Sequence, residues 1–247
     1  DMDAVLGGRM WVHDVAHHSE FKSLAVGTEN GRIYLFDISS IHALNNVPQQ
    51  LRLGQRAALT SLQFSPSGRV LASGNVKGYV NFWRINRIDQ HVAFYRMNEK
   101  PMALPSGRLV EKIRFSPSET KAIVYSGSED HMDLINLSDG LSLPTVRGYL
   151  EALGKTGRPM KITDAVFTSD EKYIVTLAPE VNRKLGLLIV FDTQSLLPVM
   201  AIENPLKEKF HERFIETGDH DVLLIPSQNG ALIELNMLAL MLDLAKL

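Results

Sequence analysis

Three times, at intervals of roughly 50 residues, the chain writes an aromatic residue followed by a hydroxyl and a turn former: Phe64-Ser65-Pro66-Ser67, Phe115-Ser116-Pro117-Ser118 and Phe167-Thr168-Ser169-Asp170. The fullest version lies within Leu59 to Ile85. There Leu59, Leu62 and Phe64 lead into Ser65-Pro66-Ser67-Gly68, where proline presets one backbone angle and glycine accepts a positive one, so the chain reverses. Val70 to Gly74 then reads as a second strand, Asn75 to Gly78 as a second reversal, and Tyr79 to Trp83 as a third strand with period-two alternation. Gln90 to Met97, with Val92, Phe94 and Tyr95, supplies a fourth. A unit of this kind cannot bury its apolar face alone, so copies must stack.

The same grammar returns on both sides. Leu24 to Gly27 with Gly31 to Asp37, Val110 to Leu137, Ile162 to Thr193, and Val222 to Ile225 with Gly230 to Leu235 bring the copies to five. A strand-only repeat of this period is the signature of a β-propeller of four-stranded antiparallel blades. The Phe64 to Gly68 corner, Leu71-Ala72-Ser73-Gly74 and the endings Phe36-Asp37, Phe82-Trp83-Arg84 and Phe191-Asp192 resemble the WD40 repeat. The likeness covers nearly the whole chain, but the copies are degenerate. Only Phe82-Trp83 keeps the tryptophan, Arg84 follows it in place of aspartate, and the Gly-His pair that opens a WD40 repeat is absent from all five. These departures touch the family's internal Asp-His-Ser-Trp hydrogen-bond network.

The expected fold is therefore all-β: one WD40-like propeller domain over residues 1–247, with blades near 9–53, 59–97, 109–147, 161–203 and 211–242. Propellers have about 4 to 8 blades. The resemblance implies a ring of about seven blades, more than the five recognised here. The expectation is that they belong to such a ring and that the chain, opening at Asp1 rather than Met, is part of a longer one. Trp11 is expected to be buried. So are Leu62, Phe64, Leu71, Trp83, Ile113, Phe115, Ile123, Ile174, Phe191, Leu224 and Ile233, between blades. Ile41 to Gln55 and Asn98 to Gly107 read as surface connections, the former with a short outer strand near Gln50 to Leu53. Asn236 to Leu247 is apolar nearly all round. It suits an outer strand, a short helix over a blade edge, or a segment that binds another protein.

Composition sets limits on partners. With 26 Lys and Arg against 28 Asp and Glu, the net charge of −2 argues against nucleic acid as a bulk electrostatic partner, because phosphate binding is driven by clustered cations. The absence of cysteine excludes disulfides and thiolate metal sites. No apolar run reaches the ~18 residues that span a bilayer, and no signal-peptide pattern opens the chain. An intracellular location, cytoplasmic or nuclear, is expected.

Residues that suggest chemistry fall in the wrong context. His13-Asp14-Val15-Ala16-His17 has the spacing of a zinc-protease motif, but that motif needs a helix to bring the two histidines to one face. Gly154-Lys155-Thr156 suggests a phosphate loop, yet the required first glycine falls at Tyr149, and Gly157 and Pro159 would break the following helix. No Gly-x-Ser-x-Gly elbow and no cysteine nucleophile occur, and Glu129-Asp130 and Asp170-Glu171 are adjacent in sequence and point apart. No catalytic, cofactor-binding or metal-binding residue is assigned. The reading is of a chain that is not an enzyme, the alternative being a propeller enzyme with titratable groups converging on a central channel.

A rigid platform for other proteins fits better, since rigidity lowers the ordering cost of binding. In WD40-like folds the loops between second and third strands, and those between blades, share one face. By resemblance that face here holds Glu29, Asn30, Arg56, Lys77, Arg108, Glu129, Asp130, Arg158, Arg183, Lys184 and Gln228. Two enlarged segments, Arg147 to Lys161 and Pro179 to Gly186, gain nothing for a core and read as contact loops. The partner-binding candidates are Arg56, Lys77, Arg108, Lys155, Arg158, Arg183 and Lys184, and the expected function is protein–protein scaffolding within a larger assembly of protein subunits.

Overall fold

A computed structural model describes residues 11–40, 48–52, 56–88, 91–97, 100–104, 107–126, 132–138, 141–146, 162–181, 184–204, 215–216, 222–227 and 230–244. Among them the first sheet pairs β1 (Val12–His18), β2 (Ser23–Thr28), β3 (Arg32–Asp37) and β4 (Gln49–Arg52) in that order. The second runs β5 (Leu59–Phe64), β6 (Val70–Asn75), β7 (Tyr79–Ile88) and β8 (His91–Arg96), with β9 (Met102–Ala103) also on β7. The third runs β10 (Lys112–Phe115), β11 (Lys121–Tyr125), β12 (Met132–Asn136) and β13 (Leu141–Val146). The fourth runs β14 (Asp164–Phe167), β15 (Tyr173–Val181), β16 (Lys184–Asp192) and β17 (Pro198–Glu203). The last comprises β18 (Ile215–Glu216), β19 (Val222–Pro226) and β20 (Leu232–Asn236), and α1 (Met237–Leu244) follows directly.

One corner is built four times among the described residues. After the first strand of each of the first four sheets, a backbone N–H donates to the carbonyl three residues back: Lys22 to Ser19, Gly68 to Ser65, Glu119 to Ser116 and Glu171 to Thr168. The donor residue is left-handed each time, with φ of 44°, 69°, 60° and 56° in that order. Gly68 adopts this without a Cβ penalty, and no side chain would fit there, because a Cβ would strike the rings of Phe21 and His18. In three copies the opening hydroxyl fixes the corner: Ser65 Oγ accepts from Val70 N (3.1 Å), Ser116 Oγ from Lys121 N (3.2 Å) and Thr168 Oγ1 from Tyr173 N (3.1 Å). This is the physical content of the recurring aromatic-hydroxyl phrase.

The chain divides into two compact units. The first is Asp1–Phe115 with Ile135–Leu143, and the second is Ser116–Leu134 with Pro144–Leu247. In the first unit, Ile33, Leu35 and Leu51 of the first sheet share one buried cluster with Leu62, Phe64, Leu71, Trp83 and Ile85 of the second. Polar fasteners flank it. Asp14 Oδ2 on β1 accepts from Leu62 N on β5 (2.6 Å), and His18 Nε2 meets the Pro66 carbonyl (2.9 Å). In the second unit, Val166, Val175, Leu177, Leu188 and Val190 of the fourth sheet cluster with Leu223, Ile225, Met237 and Leu240. There Tyr125 donates to the buried Asp164 carboxylate (2.6 Å), and Ser118 Oγ donates to Glu171 Oε2 (2.9 Å).

Several expectations need correcting. Trp11 is 75% exposed: it precedes β1, whose own residues are exposed or half-buried along its length. Leu224 and Ile233 are half-buried, and Leu223 and Ile225 take the core positions on β19, a one-residue change that exchanges strand faces. Phe115 is also half-buried, edge-on to Phe82 at 6.2 Å. The connection 98–107 contains β9, whose Met102 and Ala103 pair with Val80 and Tyr79 and continue the edge that β8 leaves open. Pro179 to Gly186 is no loop: the β15–β16 ladder carries on to Glu180↔Leu185 and Val181↔Lys184. The apolar C-terminal stretch resolves as the short helix α1, capped by Asn236 Oδ1 accepting from Ala239 N (2.9 Å).

Candidate partner-binding face

The turn between second and third strands is locked before any partner arrives. In the second sheet Asn75 Oδ1 accepts from Lys77 N (2.9 Å) and Tyr79 N (3.1 Å), while Gly78, at φ 74°, donates to the Asn75 carbonyl. Asn75 is the residue suited to this, because its short amide mimics a backbone turn. The first sheet repeats the device with Thr28 Oγ1 accepting from Arg32 N (3.3 Å) and Gly31, at φ 74°, donating to the Thr28 carbonyl. The last sheet repeats the backbone part, Gly230 to Ser227, at φ 86°.

Around the Asn75 turn the backbone is woven into its surroundings. Val76 N donates to the Ala58 carbonyl, Val110 N to that of Asn75, and Leu104 N to that of Gly78. A Cβ at Gly78 would strike the Arg108 backbone, so glycine is needed both for the positive φ and for this approach. Those bonds bring Arg56, Lys77 and Arg108 to one end of the second sheet, all three exposed. Glu29 and Asn30 are exposed on the matching turn of the first sheet. Lys184 lies at the tip of the β15–β16 hairpin, paired with Val181. Lys155, Arg158 and Arg183 lie outside the described residues, as do Glu129, Asp130 and Gln228.

Three apolar residues at this end fall outside the face read from sequence, which expects Trp11 in the core. Trp11 is joined to the first turn by Glu29 N donating to its carbonyl, and Val76 (44% exposed) and Leu109 (37% exposed) flank the cations. For Val76 a signal existed: a valine inside a tight turn has no core to enter.

Acidic groups are tied into structure. The His13 to His17 segment is a strand, and its Asp14 carboxylate accepts backbone N–H groups from Leu62 and Val15. Asp164 accepts from Tyr125 and from Ala165 N. The backbone N–H of Ser195, above all, holds the Asp192 carboxyl below the usual range; desolvation opposes this, and the Ser195 hydroxyl and Gln194 N–H assist it. Among the described residues no group of three or more His, Asp or Glu is placed to hold a metal ion, and no helix is long and apolar enough to cross a membrane.

Comparison with known proteins bears out the sequence resemblance. The family described as WD domain, G-beta repeat matches residues 48–84. The Drosophila melanogaster protein named Protein LST8 homolog is 30% identical over 110 residues, 44% of this chain and 33% of that protein. The Myceliophteria thermophila Cps50 (Swd1) β-propeller domain superposes with a TM-score of 0.63 at 16% identity, covering 89% of this chain and 64% of that one. A chain of the mitotic checkpoint complex gives 0.62 at 15% identity over 92% and 64%, and one of Kuenenia stuttgartiensis hydrazine synthase 0.61 at 14% over 87% and 55%. The fold is that of a β-propeller with four-stranded antiparallel blades. The chain spans a third of its sequence relative and less than two thirds of these structures.

Proposed function

From a chain with a WD40 repeat at residues 48–84 in a β-propeller fold, we propose a non-catalytic protein–protein interaction scaffold, a domain or subunit of a larger multiprotein assembly. The observation that carries this is the pre-locked Asn75–Gly78 turn, whose ordered backbone presents Lys77 on the surface at the same end of the sheet as Arg56 and Arg108, so that binding need not order that backbone. Arginine suits such a role because its planar guanidinium makes several hydrogen bonds and stacks on flat surfaces. Lys155, Arg158, Arg183 and Lys184 are further contact candidates in this reading, which treats residues 1–247 as one WD40-like domain. An intracellular location, cytoplasmic or nuclear, belongs to it.

The similarities to a chain of the mitotic checkpoint complex, at 15% identity, and to a chain of hydrazine synthase, at 14%, speak to fold alone. Against catalysis stands the use of Asp14, Asp164 and Asp192 as acceptors for neighbouring backbone N–H groups. Co-purification of the tagged chain followed by mass spectrometry tests the proposal. Stoichiometric protein partners are expected, and a chain that recovers none under mild conditions would remove the scaffold reading.

A further inference from the structure

Resting on the scaffold reading and deepening it, we propose that the turn end of the first two sheets docks an acidic segment of a partner protein that also carries a large apolar residue. The surface consists of Trp11, Arg56, Val76, Lys77, Arg108 and Leu109. All six are exposed, and all belong to the first compact unit. Their juxtaposition follows from bonds already described. Val76 is tied to Ala58, two residues from Arg56, and Val110, next to Leu109, is tied to Asn75. A second tie runs from Thr60 Oγ1 to the Val110 carbonyl. Trp11 sits at the start of β1, which the Asp14 to Leu62 bond sets alongside β5, so both strands begin at this end.

Charge selects the occupant. Among the described residues, Arg32 joins Arg56, Lys77 and Arg108 as exposed cations at this end, against exposed Glu29 and Glu111, although the whole chain carries a net charge of −2. The positive excess is therefore local, and it steers an acidic partner and disfavours a basic one. The apolar residues select further. Exposed tryptophan and arginine are the residues on which interface energy concentrates, and Trp11, Val76 and Leu109, all exposed at this end, suit one large apolar side chain of the partner. A nucleic acid would share the negative charge but would use neither valine nor leucine.

The chain has two tryptophans, one exposed at 75% and the other, Trp83, buried, so a change in the accessible fluorescence reports on this surface. The test selects a phage-displayed random peptide library on the full chain. Enriched peptides should be net negative with at least one large apolar residue and should protect Trp11 from iodide quenching. They should lose about tenfold or more in affinity with Arg56→Glu, Lys77→Glu and Arg108→Glu combined, at unchanged melting temperature. Trp11→Ser should weaken them too. If the triple variant fails to fold, Arg56→Glu and Lys77→Glu are read singly. Enriched peptides without acidic bias, a bias that survives the charge reversals, or a single-stranded oligonucleotide that displaces the peptides and binds more tightly would each overturn the proposal. None of those results touches the scaffold reading, which falls only if co-purification finds no partner.

Discussion

In the second sheet four strands pair in sequence, a fifth short strand fills the edge of β7, and the central positions Leu71 and Trp83 are buried against the first sheet. The last sheet has three strands among the described residues, and its β20 alternates between exposed and half-buried positions. There the helix α1 supplies what a wider sheet would, by placing Met237 and Leu240 in the cluster with Leu223 and Ile225. The difference shows that one repeat pattern can be stabilised by two routes. The second sheet relies on ladder hydrogen bonds and cross-strand packing, and the last one on a helical cover whose outer residues Leu238 and Leu242 stay exposed.

The comparison breaks most sharply at Trp83. Replacing it by alanine should cost about 3–5 kcal/mol, since it empties the centre of the apolar cluster joining the first two sheets, and should show as a large fall in denaturation midpoint. Met237→Ala should cost less, about 2–4 kcal/mol, with lost hydrogen-exchange protection centred on β19 and β20 while β5 to β7 keep theirs. Equal loss in both regions would mean that the two sheets unfold as one. Asn236→Ala removes the cap of α1 and should cost about 1 kcal/mol, and a serine at that position should restore most of it. The smallest effect lies at Asp192. Its folded carboxyl titrates below the unfolded one, so its contribution is present above the unfolded value and lost as pH falls below about 4. Asp192→Asn should therefore flatten the acid limb of a stability–pH curve and leave both the second and the last sheet unchanged at neutral pH.

Turn chemistry was the most legible part of the chain. Ser65-Pro66-Ser67-Gly68 and Asn75 to Gly78 announced their reversals through residues whose backbone preferences are local, so the strands between them followed. Burial on the last sheet was less legible, because Val222 to Ile225 is a continuous apolar run in which period two cannot choose a face. The hairpin of β15 and β16 looked like a loop because Pro179 and charged residues interrupt it, yet the ladder continues past the proline through Glu180 and Val181. Of the candidate face, Arg56, Lys77 and Arg108 could be assigned from their turns. Trp11 could not, since an aromatic near a strand reads as core until its position just outside β1 is known.

Copies that share a backbone need not share the use of their side chains. At this corner the left-handed position is taken by glycine once and by other residues three times among the described residues, at a cost of about 1 kcal/mol for a residue other than glycine. Gly68 keeps the cheapest choice and lets His18 and Phe21 lie against its Cα. Glu171 accepts the strain and reaches Ser118 on a neighbouring corner. Lys22 does so with an exposed side chain. For a lineage of duplicated repeats, such a corner is a place where the chain can acquire new joints one at a time, each tried without disturbing the strands on either side.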